Sequence, residues 1–191
     1  LQALANSKLG LSADDTLKIA QSLYEKQLTT YPRTGCSYLP ESLHADAGYI
    51  LKQLAPLYGN EIARSDASIK SRAFNDKQLG GESHFAIIPT GDTKALVSLK
   101  PEELKLYKLI AMQYIAQFYP PMTYQQTTGT VTCQNYNFNF SGKVTKSLGW
   151  KALFSSAEDN QDEDKSNDED AQVLPPLNLN ESVTHTSDEI K

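Results

Sequence analysis

The 191-residue sequence predicts an α+β fold, and three observations carry that expectation. Apolar residues recur at helical spacing in three stretches before Pro120. NYNFNF at residues 135–140 alternates strictly, with Tyr136, Phe138 and Phe140 on one side. The composition turns to threonine and β-branched residues directly after Pro120 and Pro121. A mainly helical region of residues 1–119 is therefore expected to give way to a β-rich region of residues 120–191.

The elements follow from local signals. A short helix over residues 2–9 should stop at Gly10, since glycine accepts the left-handed conformation after a helix end. Ser12 followed by Asp15 reads as an N-cap with an acidic first turn. Leu17, Ala20, Tyr24 and Leu28 then continue at helical spacing, which gives a helix over about residues 13–28. A third helix follows Pro40, with Leu43, Ala47, Ile50, Leu51 and Leu54 on one face and Pro56 near its end. The fourth opens at Pro101, runs through Leu104, Tyr107, Ile110, Ala111, Tyr114, Ile115 and Phe118, and stops before Pro120 and Pro121. Beyond these prolines TYQQTTGTVT and NYNFNF form a hairpin turned by CQN.

Charge is unevenly spread. Residues 157–172, AEDNQDEDKSNDEDAQ, hold eight acidic side chains against one lysine and read as a solvated acidic loop, which leaves residues 1–156 at +4 within a net charge of −5. A mildly basic body permits nucleic-acid binding without requiring it. No apolar run approaches the roughly 20 residues of a membrane helix, so no membrane partner is expected. Cys36 and Cys133 form no CxxC pair, and with no secretory signal evident they read as reduced thiols of a cytosolic compartment. The chain opens without methionine inside a helical pattern, and it is expected to be an excised piece of a larger protein.

Two stretches could carry chemistry. In LTTYPRTGCSYLP, residues 28–40, period-two geometry turns Tyr31 and Arg33 to one side while Pro32 faces away and restricts the backbone. A guanidinium can hold a phosphate through two parallel hydrogen bonds, and a phenolic oxygen can attack phosphorus if a cation or base offsets its ordinary pKa of ~10. The bland alternative is a buried tyrosine beside a surface arginine. In ESHFAIIPT, residues 82–90, His84 precedes an apolar strand-like run, where it could serve a phosphate or cap a strand. His44 and His185 have no partner evident. A thiol hydrolase built on Cys36 and His84 lacks a helix amino terminus or a fixed base beside the cysteine.

The leading LQALAN, the helix ending in LYE, then TTYPRT with SYLP, and HFAIIPT some fifty residues later occur in the order found in the type IA DNA topoisomerases. Residues 1–155 resemble that family, and topoisomerase III within it. The resemblance implies a winged-helix-like catalytic-tyrosine domain over residues 1–119 and part of a β-rich gate domain over residues 120–191. It implies that Tyr31 attacks the DNA backbone and becomes joined to a 5′ phosphate, that Arg33 positions the scissile phosphate, and that His84 lies close to it. Thr34 and Thr90 match further motif positions, so Arg33, Thr34, His84 and Thr90 are the expected DNA contacts. The implied partners are single-stranded DNA and the remaining topoisomerase domains in cis, and the implied setting is a bacterial nucleoid.

Two departures from the family pattern bear on activity. Thr34, Gly35 and Cys36 stand where the family usually has TDS, so a carboxylate is replaced by glycine. The family's Mg2+ is bound by an acidic cluster in a separate amino-terminal domain, so magnesium is implied for the complete enzyme and none for this chain. Asp162 with Asp164, and Asp168 with Asp170, have the spacing of paired metal carboxylates but no preceding apolar strand to fix them. The chain alone is therefore expected to be inactive. The alternative is a single-stranded-DNA-binding module of the same ancestry whose chemistry has lapsed.

Overall fold

The computed structural model describes residues 1–133, 135–154 and Ser182, and the fold is α+β. The described chain divides into two compact units, Leu1–Pro121 with Gly149–Phe154, and Met122–Leu148. No helix among the described residues is long and apolar enough to cross a membrane. The acidic segment with its aspartate pairs, and His185, lie outside the described residues.

In the first unit α1 spans Gln2–Leu9 and ends at Gly10, whose φ of 68° is the left-handed conformation anticipated there. α2, Ala13–Glu25, is capped by the Ser12 hydroxyl, which accepts from the Asp15 N–H at 3.0 Å. It ends three residues before the expected limit. Leu28 keeps the apolar spacing, but Gln27 turns to φ 61° and its N–H closes on the Tyr24 carbonyl at 2.8 Å. The buried stripe of α2 is Thr16, Ala20 and Leu23, and Tyr24 is left exposed beside it.

The helix expected after Pro40 begins as a 3₁₀ segment, Glu41–Asp46, and continues as α3, Ala47–Ile62. Pro56 does not end α3. The chain absorbs it with non-helical angles at Tyr58 and carries on, because Tyr58 extends the buried face of Ala47, Ile50, Leu51 and Leu54. A short α4, Asp76–Leu79, and a 3₁₀ turn, Lys94–Ser98, precede α5, Pro101–Ile115, which tightens into a 3₁₀ turn at Ala116–Phe118. Leu106, Tyr107, Ile110, Tyr114, Ile115 and Phe118 make its core face, while Leu104 lies outside it, exposed.

A buried ion pair ties α2 to α5. Lys26 donates to both carboxylate oxygens of Glu103 at 2.6 Å, the Ser22 hydroxyl donates to one of them at 2.6 Å, and the Lys100 N–H donates to the other at 2.9 Å. Burial alone pushes this carboxyl up, but these donors outweigh it and hold the group at about 2. His44, which showed no partner in the sequence, is structural. Its Nε2 lies 3.0 Å from the Ile69 carbonyl, which can only accept, and its ring packs edge-on against Phe74.

The second unit is the antiparallel hairpin of β1, Thr123–Cys133, and β2, Tyr136–Ser147. Its register sets Tyr136, Phe138 and Phe140 opposite Cys133, Val131 and Gly129, so the aromatic residues share one face as the alternation requires. The Thr130 and Thr132 hydroxyls pair with the Asn139 and Asn137 side chains on the other face, each at 2.8 Å.

At the ends of the hairpin the chain returns to where it left the first unit. The Trp150 N–H donates to the Pro120 carbonyl at 3.0 Å. Gly149, at φ 51°, passes so close that a Cβ there would stand 2.4 Å from the Pro120 oxygen.

Candidate active site

The two chemical stretches lie side by side. Residues 28–39 contain no helix and only two isolated bridges, Thr29 with Pro89 and Leu39 with Phe74. They are held by the stretch 84–90. Thr30 and Thr90 donate their N–H groups to the Ile88 and Leu28 carbonyls at 3.0 and 3.1 Å, and Ala86 donates to the Tyr38 carbonyl at 2.9 Å.

Threonine hydroxyls complete the lacing. That of Thr30 donates to the Ala86 carbonyl at 3.2 Å and accepts from the Ile88 N–H at 3.0 Å. Thr34 donates to the His84 carbonyl at 2.9 Å and accepts from the Cys36 N–H at 3.0 Å. Thr90 donates to the Gln27 carbonyl at 2.6 Å. Short hydroxyls suit this work, because they satisfy backbone groups that no regular ladder reaches.

The lacing brings Tyr31 and His84 together, with ring centroids 4.3 Å apart and planes 38° from parallel. Tyr24, from the last turn of α2, meets Tyr31 on its own account at 5.4 Å and 84°. Pro32 is buried, whereas Tyr31 before it is half-buried and Arg33 after it exposed. Among the described residues neither the Tyr31 hydroxyl nor the Arg33 guanidinium has a hydrogen-bonding partner. A phenol and a guanidinium are thus presented on one segment with their polar groups uncommitted among the described residues. His84 is exposed as well.

A cleft of about 390 Å³ runs along Pro32, Thr34, Gly35 and Cys36 toward Ala20 and Ile110, and Tyr31, Arg33 and His84 take no part in its wall. Half-buried Tyr31 and exposed Arg33 and His84 thus lie outside that cleft, an arrangement suited to an extended substrate more than to an enclosed metabolite. Gly35 has no positive φ, and a Cβ there would meet nothing within 4 Å. Its backbone does not require glycine. The Cys36 sulfur faces the backbone of Tyr38, accepting from its N–H at 3.4 Å, and makes no contact with His84 that would support a thiol–imidazole pair.

Among the described residues no three His, Cys, Asp or Glu side chains gather into a metal site. Those residues do not fit a magnesium ion.

Sequence reasoning missed Thr30 and Tyr24. Thr30 bonds to partners fifty-six and fifty-eight residues away, and Tyr24 fits the helical period of the core face while standing exposed beside it.

A family model described as DNA topoisomerase matches residues 1–191. The chain is 36% identical over 167 residues to DNA topoisomerase 3 of Vibrio cholerae, covering 85% of this chain and 25% of that protein. It is 34% identical to DNA topoisomerase 3 of Bacillus licheniformis and 33% identical to that of Bacillus subtilis, in both cases over 100% of this chain and 27% of the relative. The chain therefore spans about a quarter of the length of the curated relatives it matches.

Proposed function

The chain belongs to the type IA DNA topoisomerase family, with proteins named DNA topoisomerase 3 among its relatives, and from that premise we propose that it carries the strand-cleaving tyrosine of such an enzyme. In this reading Tyr31 is the nucleophile. Its phenolic oxygen bonds to a backbone phosphorus as the bond from phosphorus to the neighbouring O3′ breaks. The phenolic proton is given up, O3′ takes one, and a 5′-phosphotyrosine results. Reversal rejoins the strand and needs no nucleotide triphosphate, since one phosphodiester replaces another. Passage of DNA through the break relaxes or unlinks it.

Arg33 holds the scissile phosphate and offsets the charge that grows on its oxygens, and His84 donates to the same group. Thr34 and Thr90 contribute to DNA binding through the backbone segments that their hydroxyls tie in place. The observation that carries the reading is the pairing of the two motifs. The Tyr31 and His84 ring centroids lie 4.3 Å apart, and Arg33, which bonds to no described residue, follows two residues later.

The wider assignment follows the same footing. Residues 1–119 are the catalytic-tyrosine domain, with a winged-helix-like arrangement of its helices, and residues 120–191 are part of a β-rich gate domain. The partners are single-stranded DNA and further topoisomerase domains in cis, in a bacterial cytoplasm at the nucleoid. Magnesium belongs to the full-length enzyme, held outside this chain, and the 191 residues alone do not cleave.

One observation favours a second reading, a DNA-binding module whose chemistry has lapsed: Gly35 stands where the family has a carboxylate. The test is detergent-stopped incubation of the full-length protein with end-labelled single-stranded DNA and magnesium. A tyrosine-linked product is expected from wild type, and Tyr31→Phe should bind DNA without forming it. Adduct from Tyr31→Phe would remove Tyr31 as nucleophile, and binding with no adduct from wild type would select the lapsed module.

A further inference from the structure

Tyr31 is enclosed by two aromatic rings from different parts of the chain. His84 contributes one, and Tyr24 sets its ring nearly perpendicular to that of Tyr31, at 5.4 Å between centroids. No hydrogen bond to a described residue fixes the Tyr31 hydroxyl, so the aim of the phenol rests on these rings and on the laced backbone. We propose that Tyr24 is a positioning residue for strand cleavage, limiting the swing of the Tyr31 side chain so that its oxygen dwells where the phosphorus arrives. The proposal rests on the reading of Tyr31 as nucleophile.

In-line attack requires the oxygen within about 3–3.5 Å of phosphorus and aligned with the leaving group. Rotation of a tyrosine ring about its own axis leaves the hydroxyl in place, whereas rotation at χ1 sweeps it through several ångströms, so χ1 is the freedom that must be restrained. The T-shaped contact with the Tyr24 ring does this, in an arrangement that aromatic pairs favour.

Tyr24 is built for that task in two further respects. It is 40% exposed and lies beside the buried stripe of α2, so the core does not depend on it. Its backbone is nonetheless anchored. The Gln27 N–H closes on the Tyr24 carbonyl, and Lys26, two residues on, is clamped by both oxygens of Glu103. A helix end tied down by these bonds thus carries a side chain that the buried stripe of α2 does not require.

The test uses the full-length protein, single-turnover cleavage of an end-labelled single-stranded oligonucleotide at saturation, and a separate measurement of its Kd. Tyr24→Ala should slow cleavage on the order of 10- to 100-fold while Kd moves by less than about threefold. Tyr24→Phe, which keeps the ring and drops the hydroxyl, should restore a rate near wild type. Thermal unfolding should coincide for the two variants, which separates positioning from a loss of fold.

Wild-type cleavage by Tyr24→Ala would overturn the proposal. So would weakened binding at an unchanged saturated rate, which would make Tyr24 a DNA contact. A Phe variant as slow as the Ala variant would likewise overturn it by making the hydroxyl the agent. Tyr31→Phe serves as the control: if it forms adduct, the nucleophile assignment falls, whereas a silent Tyr31→Phe beside an unimpaired Tyr24→Ala removes the positioning role alone.

Discussion

Residues 28–39 of the first unit contain no element longer than an isolated bridge, yet Leu28, Thr29, Pro32 and Leu39 among them are buried. The β1–β2 hairpin of the second unit is paired without a break from Tyr124–Thr145 to Cys133–Tyr136, yet Gly142 is its one buried residue among those described. One region is ordered by side-chain burial and scattered hydroxyl bonds, the other by a regular backbone ladder. Regularity and burial are therefore separate properties, and a tyrosine can be held in an irregular segment by its neighbours' burial and hydroxyl bonds. A two-stranded hairpin with both faces open has little besides its ladder to hold it.

The contrast breaks if the two regions respond alike to loss of side chains. Leu28→Ala removes a fully enclosed side chain and should cost about 2–5 kcal/mol in urea unfolding followed by helical circular dichroism. Phe138→Ala, on the open hairpin, should change the same transition by less than about 0.5 kcal/mol. Similar costs would mean that the hairpin shares the core.

Acid should sharpen the contrast. Glu103 is held at about 2, below its unfolded value, so its contribution is complete above that unfolded value, near pH 4.5. The contribution drains away as pH falls through the folded value of about 2. The difference corresponds to at most about 3 kcal/mol, and Glu103→Gln should flatten this part of the pH dependence. Glu41 and Asp66 are also lowered, by Lys70 and Ser68, but both are solvent-screened and should add little. In the hairpin the Gln126–Ser141, Thr130–Asn139 and Thr132–Asn137 side-chain bonds join neutral groups, so these contacts should not follow the same slope. An undiminished slope in Glu103→Gln would place the acid-sensitive group elsewhere.

The smallest effect on stability belongs to Gly35→Asp. A Cβ meets nothing there and the backbone is not left-handed, so the midpoint should move by less than about 0.5 kcal/mol. Cleavage by the full-length enzyme should nonetheless quicken if the family's carboxylate assists the chemistry proposed for Tyr31 and Arg33. A rate at or below wild type would show that the chemistry proceeds without it.

Much of the helical unit was legible because its signals are local. Gly10, Ser12 and Pro101 act within one turn of the helix ends they mark, and the structure places ends there. Signals failed where tertiary packing decided. Leu28 continues a helical period beyond the end of α2, and Tyr58 carries α3 past Pro56 because its burial outweighs the kink. Tyr24 fits the period of the core face but stands at its edge, where its neighbour is Tyr31. In the candidate site, the order of the motifs along the chain marked the two stretches that the structure sets side by side. The hydroxyl bonds of Thr30 could not, since no local pattern marks a partner so distant in sequence.

The meeting of Gly149 with Pro120 makes the hairpin an excursion whose exit and entrance coincide. Lengthening or shortening such an excursion changes its closure cost only with the logarithm of its length, about 0.6 kcal/mol per doubling. Evolution can therefore vary the number and length of strands between these points while the helical unit continues to fold on its own contacts. Gly149 is the seam that must be kept, because any side chain there would push the two ends of the excursion apart.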